Sequence, residues 1–274
     1  MAKRWHRPLW RCLSRRAFLG SLLVCTAAWG FWVSSRYQRS GLYSPLLGAL
    51  AELGPGTIHV FLCSDDTDLR PAAVAIKSAH DAAAEPGRLL FHVVTSVQLA
   101  PIFQELLSEH LPGIRLQVHH DVAVETKIEA YITFRESSKA RKILASPFNF
   151  MPFYFDAFLA SELAPQLLGP TLKHVIYIDT DTVVLGDMAE LYDLDLRGHP
   201  VAAVPYCQQR LVDYLNFEVL TEMGHTEFDP NACIINRGIM VIDVHRWMQL
   251  NVTDKIEQWM HHYRSASRSL WQGG

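Results

Sequence analysis

The chain has no C-x-x-C pair, no internal repeat, no low-complexity segment and no Lys/Arg-rich patch in its body. Each absence excludes something. Without closely spaced cysteines a zinc site is not expected. Without clustered cations, and with a net charge of −3, there is no electrostatic footprint for nucleic acid. Without low complexity, and with 49% hydrophobic residues, the body is expected to bury a core. Cysteine is scarce. Cys12 and Cys25 lie near the N-terminus, which leaves Cys63, Cys207 and Cys233, an odd number that permits one disulfide and one free thiol.

Acid is absent from residues 1–16, which carry Lys3, Arg4, Arg7, Arg11, Arg15 and Arg16. The next stretch, "AFLGSLLVCTAAWGFWV" (17–33), has no charge at all, and Trp29 and Trp32 suit a membrane interface. At ~1.5 Å per residue it lies at the short end of what spans a ~30 Å hydrocarbon core. The one-sided charge predicts a basic cytoplasmic tail (1–16), a signal-anchor helix (17–33) and a stem (34–56), with the body across the membrane. A cleaved signal is the second reading, because "SRRAFLG" resembles a twin-arginine signal, and a buried helix is the third. Asn251-Val252-Thr253 is an N-glycosylation acceptor, which fits a lumenal body.

From residue 57 onward, apolar runs and helical patterns alternate. Strands are expected at 58–63, 89–95, 115–120, 174–178, 201–206 and 234–243, and helices at 70–83, 100–111 and 253–264. Runs that do not alternate in polarity suggest strands covered on both faces, hence an α/β fold with a mainly parallel sheet. In such sheets ligands bind beyond the carboxyl ends of the strands. Asp65-Asp66 and Asp179/Asp181 occupy such ends.

The D-x-D spacing says little by itself, since the chain has it at Asp66/Asp68, Asp179/Asp181 and Asp193/Asp195. In "LYDLDLRG" a turn or helix cap is the better reading. In "KHVIYIDTDTVV" (173–184) an apolar strand runs straight into the pair. Two close carboxylates repel each other unless a cation joins them, and oxygen ligands at a strand end suit Mg²⁺ or Mn²⁺. A solvated turn remains open. So does the first motif of haloacid-dehalogenase-type phosphatases, with an aspartate nucleophile. That reading needs a downstream lysine and a later acidic pair. After Asp181 the chain has only Lys255 and no Asp-Asp pair, and three expected strands precede the motif.

Four blocks in order, "VFLCSDDTDLRPAAVAIKSA", "SPFNFMPFYFDAFLA", "HVIYIDTDTVVLGDMAELYDLDLRGHPVAAV" and "CIINRGIMVIDVHRW", resemble glycosyltransferase family 8. That family includes glycogenin, bacterial lipooligosaccharide galactosyltransferases and plant galacturonosyltransferase-like proteins. The resemblance implies a GT-A fold, a Rossmann-like catalytic domain over 57–274 with a mixed, mainly parallel sheet. It implies a UDP-sugar donor, a glycan or other hydroxyl acceptor, Mn²⁺ (or Mg²⁺) as cofactor, and transfer with retention. The positions that match the family's motifs are Asp179 and Asp181 as metal ligands, with Asp181 also near the donor. Asp65 and Thr67 match the contacts to uracil and ribose, with the backbone of Cys63 at the base. Asn236 and Gly238 match the segment near the reacting sugar, which makes Asp181 and Asn236 the candidates closest to the chemistry. Read without the family, Asp65 is equally a loop or cap carboxylate, and Asn236 a satisfied core amide. The resemblance also implies a Cys207–Cys233 disulfide, against two separate buried thiols. With the anchor it implies a single-pass type II Golgi membrane protein whose catalytic domain is lumenal.

Two departures stand out. The family's donor-contacting arginine falls on Pro152, which offers neither charge nor N–H. Arg141 or Lys142 upstream are the candidates to replace it. The family's third metal ligand is a histidine in a C-terminal "H-x-x-G-x-x-K-P-W" block that none of the 13 histidines here matches, so the chain is expected to be C-terminally truncated. The resemblance therefore also admits a family-related chain that binds a nucleotide sugar weakly or not at all.

Overall fold

In the computed structural model, residues 56–132, 146–162, 172–265 and 270 are described, all within one compact unit that spans Pro55–Gly274. The expected tail, anchor at 17–33 and stem up to residue 55 lie outside the described residues. Among the described residues no helix is long and apolar enough to cross a membrane.

The strands are β1 (Ile58–Cys63), β2 (Leu89–Val94), β3 (Leu116–His119), β4 (His174–Ile178), β5 (Val201–Arg210) and β6 (Cys233–Asp243). They form one sheet in the order β3-β2-β1-β4-β6-β5. β3, β2, β1 and β4 run parallel, while β6 is antiparallel to both β4 and β5. The sheet is therefore mixed and mainly parallel, as the sequence led one to expect. The chain winds outward from β1 to β3 and then returns to the other side of β1 as β4. The carboxyl ends of β1 and β4 thus become neighbours at the point where winding reverses, the usual place for a ligand crevice.

Burial explains the unbroken apolar runs. Ile58, Val60 and Leu62 of β1 point into one core with Phe91 of β2, Ile176 of β4 and the helix Arg70–Ala82 (α1). Phe61 faces the opposite core, with Val175 and Tyr177 of β4, Met240 and Ile242 of β6, and Phe155 and Trp247. Successive residues go to opposite faces, and both faces are covered. The helix Ala100–His110 (α2) closes the first core through Phe103 and Leu107.

Several elements carried too weak a period to be expected. Val122–Tyr131 (α3) buries only Ile128, and it is started by Asp121, whose carboxylate accepts from the Ala123 and Val124 N–H groups. Such a cap is worth ~1 kcal/mol. Phe155–Glu162 (α4) follows two 3₁₀ turns. Met188–Tyr192 (α5), Phe217–Glu222 (α6) and Val244–Gln249 (α7) are each under two turns long and begin at Asp187, Asn216 and Asp243. The last helix, Val252–Ser265 (α8), matches expectation to within a residue. β5 runs past its expected end at Tyr206 to Arg210, where pairing resumes opposite Cys233 after a register shift. Cys207 and Cys233 are disulfide-bonded there, and Cys63 is free. Asp195 makes a turn, its carboxylate accepting from the Arg197 N–H, so the third D-x-D is indeed a turn.

The second core holds three buried histidines in a row across β1, β2 and β3. His59 Nδ1 lies 2.9 Å from His92 Nε2, and His92 Nδ1 lies 2.9 Å from His119 Nε2. Each link needs one protonated and one bare nitrogen, so the neutral rings must share one tautomeric sense. Burial, helped by the charge of Arg115, lowers the His59 pKa to about 4. Burial and then its two histidine neighbours hold His92 well below the ordinary imidazole range. The folded state thus binds fewer protons here than the unfolded chain, whose histidines titrate near ~6.5. Their contribution to stability is complete above that pH and is lost as pH falls toward 4. Urea denaturation should show stability dropping below pH ~6.5 by about 1.4 kcal/mol per pH unit for each such histidine. The slope should shrink by about one proton in His92→Leu.

Candidate active site

Asp179 is the first residue after β4. Its N–H donates to the Gly238 carbonyl at 2.8 Å, which extends the β4–β6 pairing by one bond. Its Oδ1 accepts from the Tyr177 hydroxyl at 2.6 Å. Its own carbonyl accepts from the Thr182 N–H at 3.2 Å, so Asp179-Thr180-Asp181-Thr182 is a turn. The turn that the sequence left open at this motif is therefore present. The turn is what sets Asp181 out into solvent while Asp179 stays half-buried.

Gly238 sits where β6 bulges. Ala203 pairs with Met240 but Val204 pairs with Asn236, so three residues of β6, 237–239, span one step of β5. A bulge bends its strand and re-aims side chains. A Cβ on Gly238 would lie 2.8 Å from Asp179 Oδ2 and 3.1 Å from Asn236 Oδ1. The glycine is there because the Asp179 carboxylate occupies the space a side chain would fill. Asn236 Oδ1 accepts from the Gly238 N–H at 2.9 Å and holds the bulge from within. The core-amide reading of Asn236 falls, since the residue is exposed.

The loop after β1 folds on itself. Asp66 donates its N–H to Ser64 Oγ, Asp68 its N–H to Asp66 Oδ1, and Asp68 in turn pairs with Arg70. Asp65 and Thr67 are left exposed. Asp65 Oδ2 accepts from Ser146 Oγ at 2.5 Å, which ties this loop to the turn that opens the second family block. Cys63 ends β1, and Phe61 pairs with Tyr177 across the β1–β4 seam. Burial, and then the nearby Asp179 charge, push the Cys63 thiol up, so it stays protonated. Burial likewise pushes up the Tyr177 phenol, ahead of the effects of Cys63 and Asp179.

Asp179, Asn236, Gly238 and Cys63 thus share one spot, with Asp65 and Thr67 on the adjoining loop and Asp181 at the apex of its turn. The donor set fits a hard divalent cation, being two carboxylates at a partly exposed strand end. Among the described residues no third His, Cys, Asp or Glu joins them. Pro152 is buried in the 3₁₀ turn Met151–Tyr154, and the regular helix starts only at Phe155. Arg141 and Lys142 lie outside the described residues. Three residues that sequence reasoning missed hold the site in place: Tyr177, Ser146 and Arg237. Tyr177 left the clearest signal, a hydroxyl in an otherwise apolar strand two residues before the aspartate.

The family model for glycosyl transferase family 8 matches residues 59–273. The chain belongs to glycosyl transferase family 8. It is an enzyme-family member of the glycosyl-transferring kind, and the phosphatase reading of the same motif falls. A probable galacturonosyltransferase-like 3 of Arabidopsis thaliana is 29% identical over 213 residues, 76% of this chain and 57% of that protein. A probable galacturonosyltransferase 13 of the same plant is 25% identical over 88% of this chain and 50% of its own length. The chain thus spans about half the length of these relatives. Among solved structures, the galactosyltransferase LgtC has a TM-score of 0.52 at 16% identity, covering 77% of this chain and 66% of that one. Mouse xyloside xylosyltransferase 1 has a TM-score of 0.50 at 15% identity, covering 75% and 74%. These two likenesses support the α/β GT-A-type fold.

The crowding at Gly238 is directly testable. Gly238→Ala should cost ~1–3 kcal/mol as an overpacked contact. Because the methyl would displace Asp179 from the Tyr177 hydroxyl, a double-mutant cycle with Tyr177→Phe should show coupling of about 0.5 kcal/mol or more in thermal or urea denaturation. Additive effects would mean that Asp179 moves without leaving Tyr177.

Proposed function

We propose that the chain is a retaining transferase that moves a hexosyl, pentosyl or uronosyl group from a UDP-sugar to a glycan or other hydroxyl acceptor. The observation that carries this reading is the meeting of two loops at the reversal of the sheet. One presents Asp65 and Thr67, and the other presents Asp179 and Asp181. In this reading Asp65, oriented by Ser146, and Thr67 hold uracil and ribose, with the Cys63 backbone at the base. Asp179 and Asp181 hold Mn²⁺, or Mg²⁺ in its place. A divalent ion bound there supplies charge neutralisation for the departing diphosphate. Tyr177 fixes the Asp179 rotamer by donating to Oδ1 and leaves Oδ2 and the remaining lone pairs for a ligand. Asn236 and Gly238 border the reacting sugar. The acceptor hydroxyl attacks the anomeric carbon on the face that UDP leaves. The bond from that carbon to the phosphate oxygen breaks as the new bond forms, and the hydroxyl proton passes to the departing phosphate. No covalent nucleophile is assigned.

The disulfide Cys207–Cys233 supports an oxidising compartment. Asn251 of the glycosylation triplet is exposed between α7 and α8. Both agree with a lumenal domain on a type II Golgi anchor formed by residues 17–33. The relatives' names, galacturonosyl, galactosyl and xylosyl transferases, leave the sugar open.

Pro152 favours a second reading, a family chain that holds nucleotide sugars weakly. Calorimetry separates the two. The first predicts UDP binding that depends on Mn²⁺ and is lost in Asp181→Ala, with the folded state intact by circular dichroism. Unchanged affinity in Asp181→Ala would remove the metal assignment. Absence of manganese-dependent binding in the unsubstituted protein would leave the second reading.

A further inference from the structure

The loops bounding the site (64–70, 146–154, 179–187 and 236–238) are rich in carboxylates and poor in cations. Among their described residues the cationic side chains are Arg70 and Arg237. Arg70 is engaged, since its guanidinium pairs with Asp68. Arg237 is not engaged by a carboxylate among the described residues. It stands between Asn236 and Gly238 on the β6 bulge, next in sequence to the glycine that packs against Asp179. One of its N–H groups, on Nη1, donates to the Asn149 carbonyl at 2.5 Å. The charge is near enough to the Tyr177 hydroxyl to act on it. A guanidinium has five N–H donors, so four remain. Arg237 is exposed, and its bond to Asn149 ties the β6 bulge to the segment that carries Pro152.

Charge balance gives this arrangement a use. Two carboxylates offset the charge of one divalent cation, so much of the negative charge of a bound diphosphate is left for a further cation to balance. A planar, permanently charged fork is the side chain best matched to phosphate oxygens. We propose that Arg237 binds the diphosphate of the donor, supplying the cation that Pro152 does not. This rests on the UDP-sugar reading above. The bond to Asn149 pre-orients the guanidinium, so less side-chain freedom is lost when the phosphate binds.

The test compares UDP with uridine, which shares the base and ribose and lacks the phosphates, by calorimetry in Mn²⁺ on the purified protein. Arg237→Gln is expected to weaken UDP by ~10-fold or more, the scale of one charge-assisted hydrogen bond, and to leave uridine unchanged. Arg237→Lys should recover part of the loss, because charge returns without the fork. Two results would overturn the assignment. One is UDP affinity unchanged in Arg237→Gln. The other is an equal loss for UDP and uridine, which would make Arg237 only a tether for the turn at Asn149. Failure of the unsubstituted protein to bind UDP with Mn²⁺ is a different outcome, and it removes the donor reading together with Arg237's role in it.

Discussion

The hydrogen bond from the Asp179 N–H to the Gly238 carbonyl is the interaction on which the site depends. It continues β4 into β6 for one residue beyond the ladder and then ends it. On one side the chain turns sharply through Thr182. On the other, β6 bulges away from β5. Were Gly238 any other residue, its Cβ would need the space of Asp179 Oδ2. The bulge takes residues 237–239 out of step with β5, and Asn236 resumes the pairing opposite Val204. The backbone thus places the site before any side chain acts.

The sheet's burial makes that placement rigid. β1 and β4 are packed on both faces, with Ile176 and Ile178 in one core and Val175 and Tyr177 in the other. Fully burying such side chains contributes ~1.5–3 kcal/mol each. A strand held this way cannot slip, because a shift of one residue would exchange its two faces. The ends of β1 and β4 are therefore fixed relative to each other, and the two loops meet as a consequence of packing. Tyr177 belongs to both systems. Its ring is buried in the second core and its hydroxyl emerges at Asp179, so the rotamer of the carboxylate is set by the core itself.

Much of this was legible in the sequence, for reasons that differ by element. β1, β2 and β4 could be read because double-sided burial writes an uninterrupted apolar run. Asp179 and Asp181 could be read because such a run ends abruptly on charge. The short helices α5, α6 and α7 could not, since five or six residues show less than two turns of any period. What announces them is a cap (Asp187, Asn216 or Asp243), and a single polar residue looks the same in a loop. The bulge at 237–239 was also hidden. N-x-G gives a motif, but that Gly238 must face Asp179 depends on β6 pairing with β4, sixty residues earlier in the chain. Ser146 and Arg237 belong to the same class, for their contacts with Asp65 and Asn149 join segments distant in sequence.

The state of the phenol decides how Asp179 can act. Burial keeps Tyr177 protonated, so its hydroxyl can only donate to Asp179 and never competes with it as a second anion. The hydroxyl gives Oδ1 of this half-buried side chain a hydrogen-bond partner without bringing a charge of its own. A lysine or arginine in that place would instead have formed an ion pair with Asp179. A neutral donor stabilises the carboxylate and leaves its charge available. Asp181 lies exposed on the turn. The two members of the motif are therefore unequal by construction: Asp179 is fixed by the core and by β6, and Asp181 stands exposed on the turn that follows.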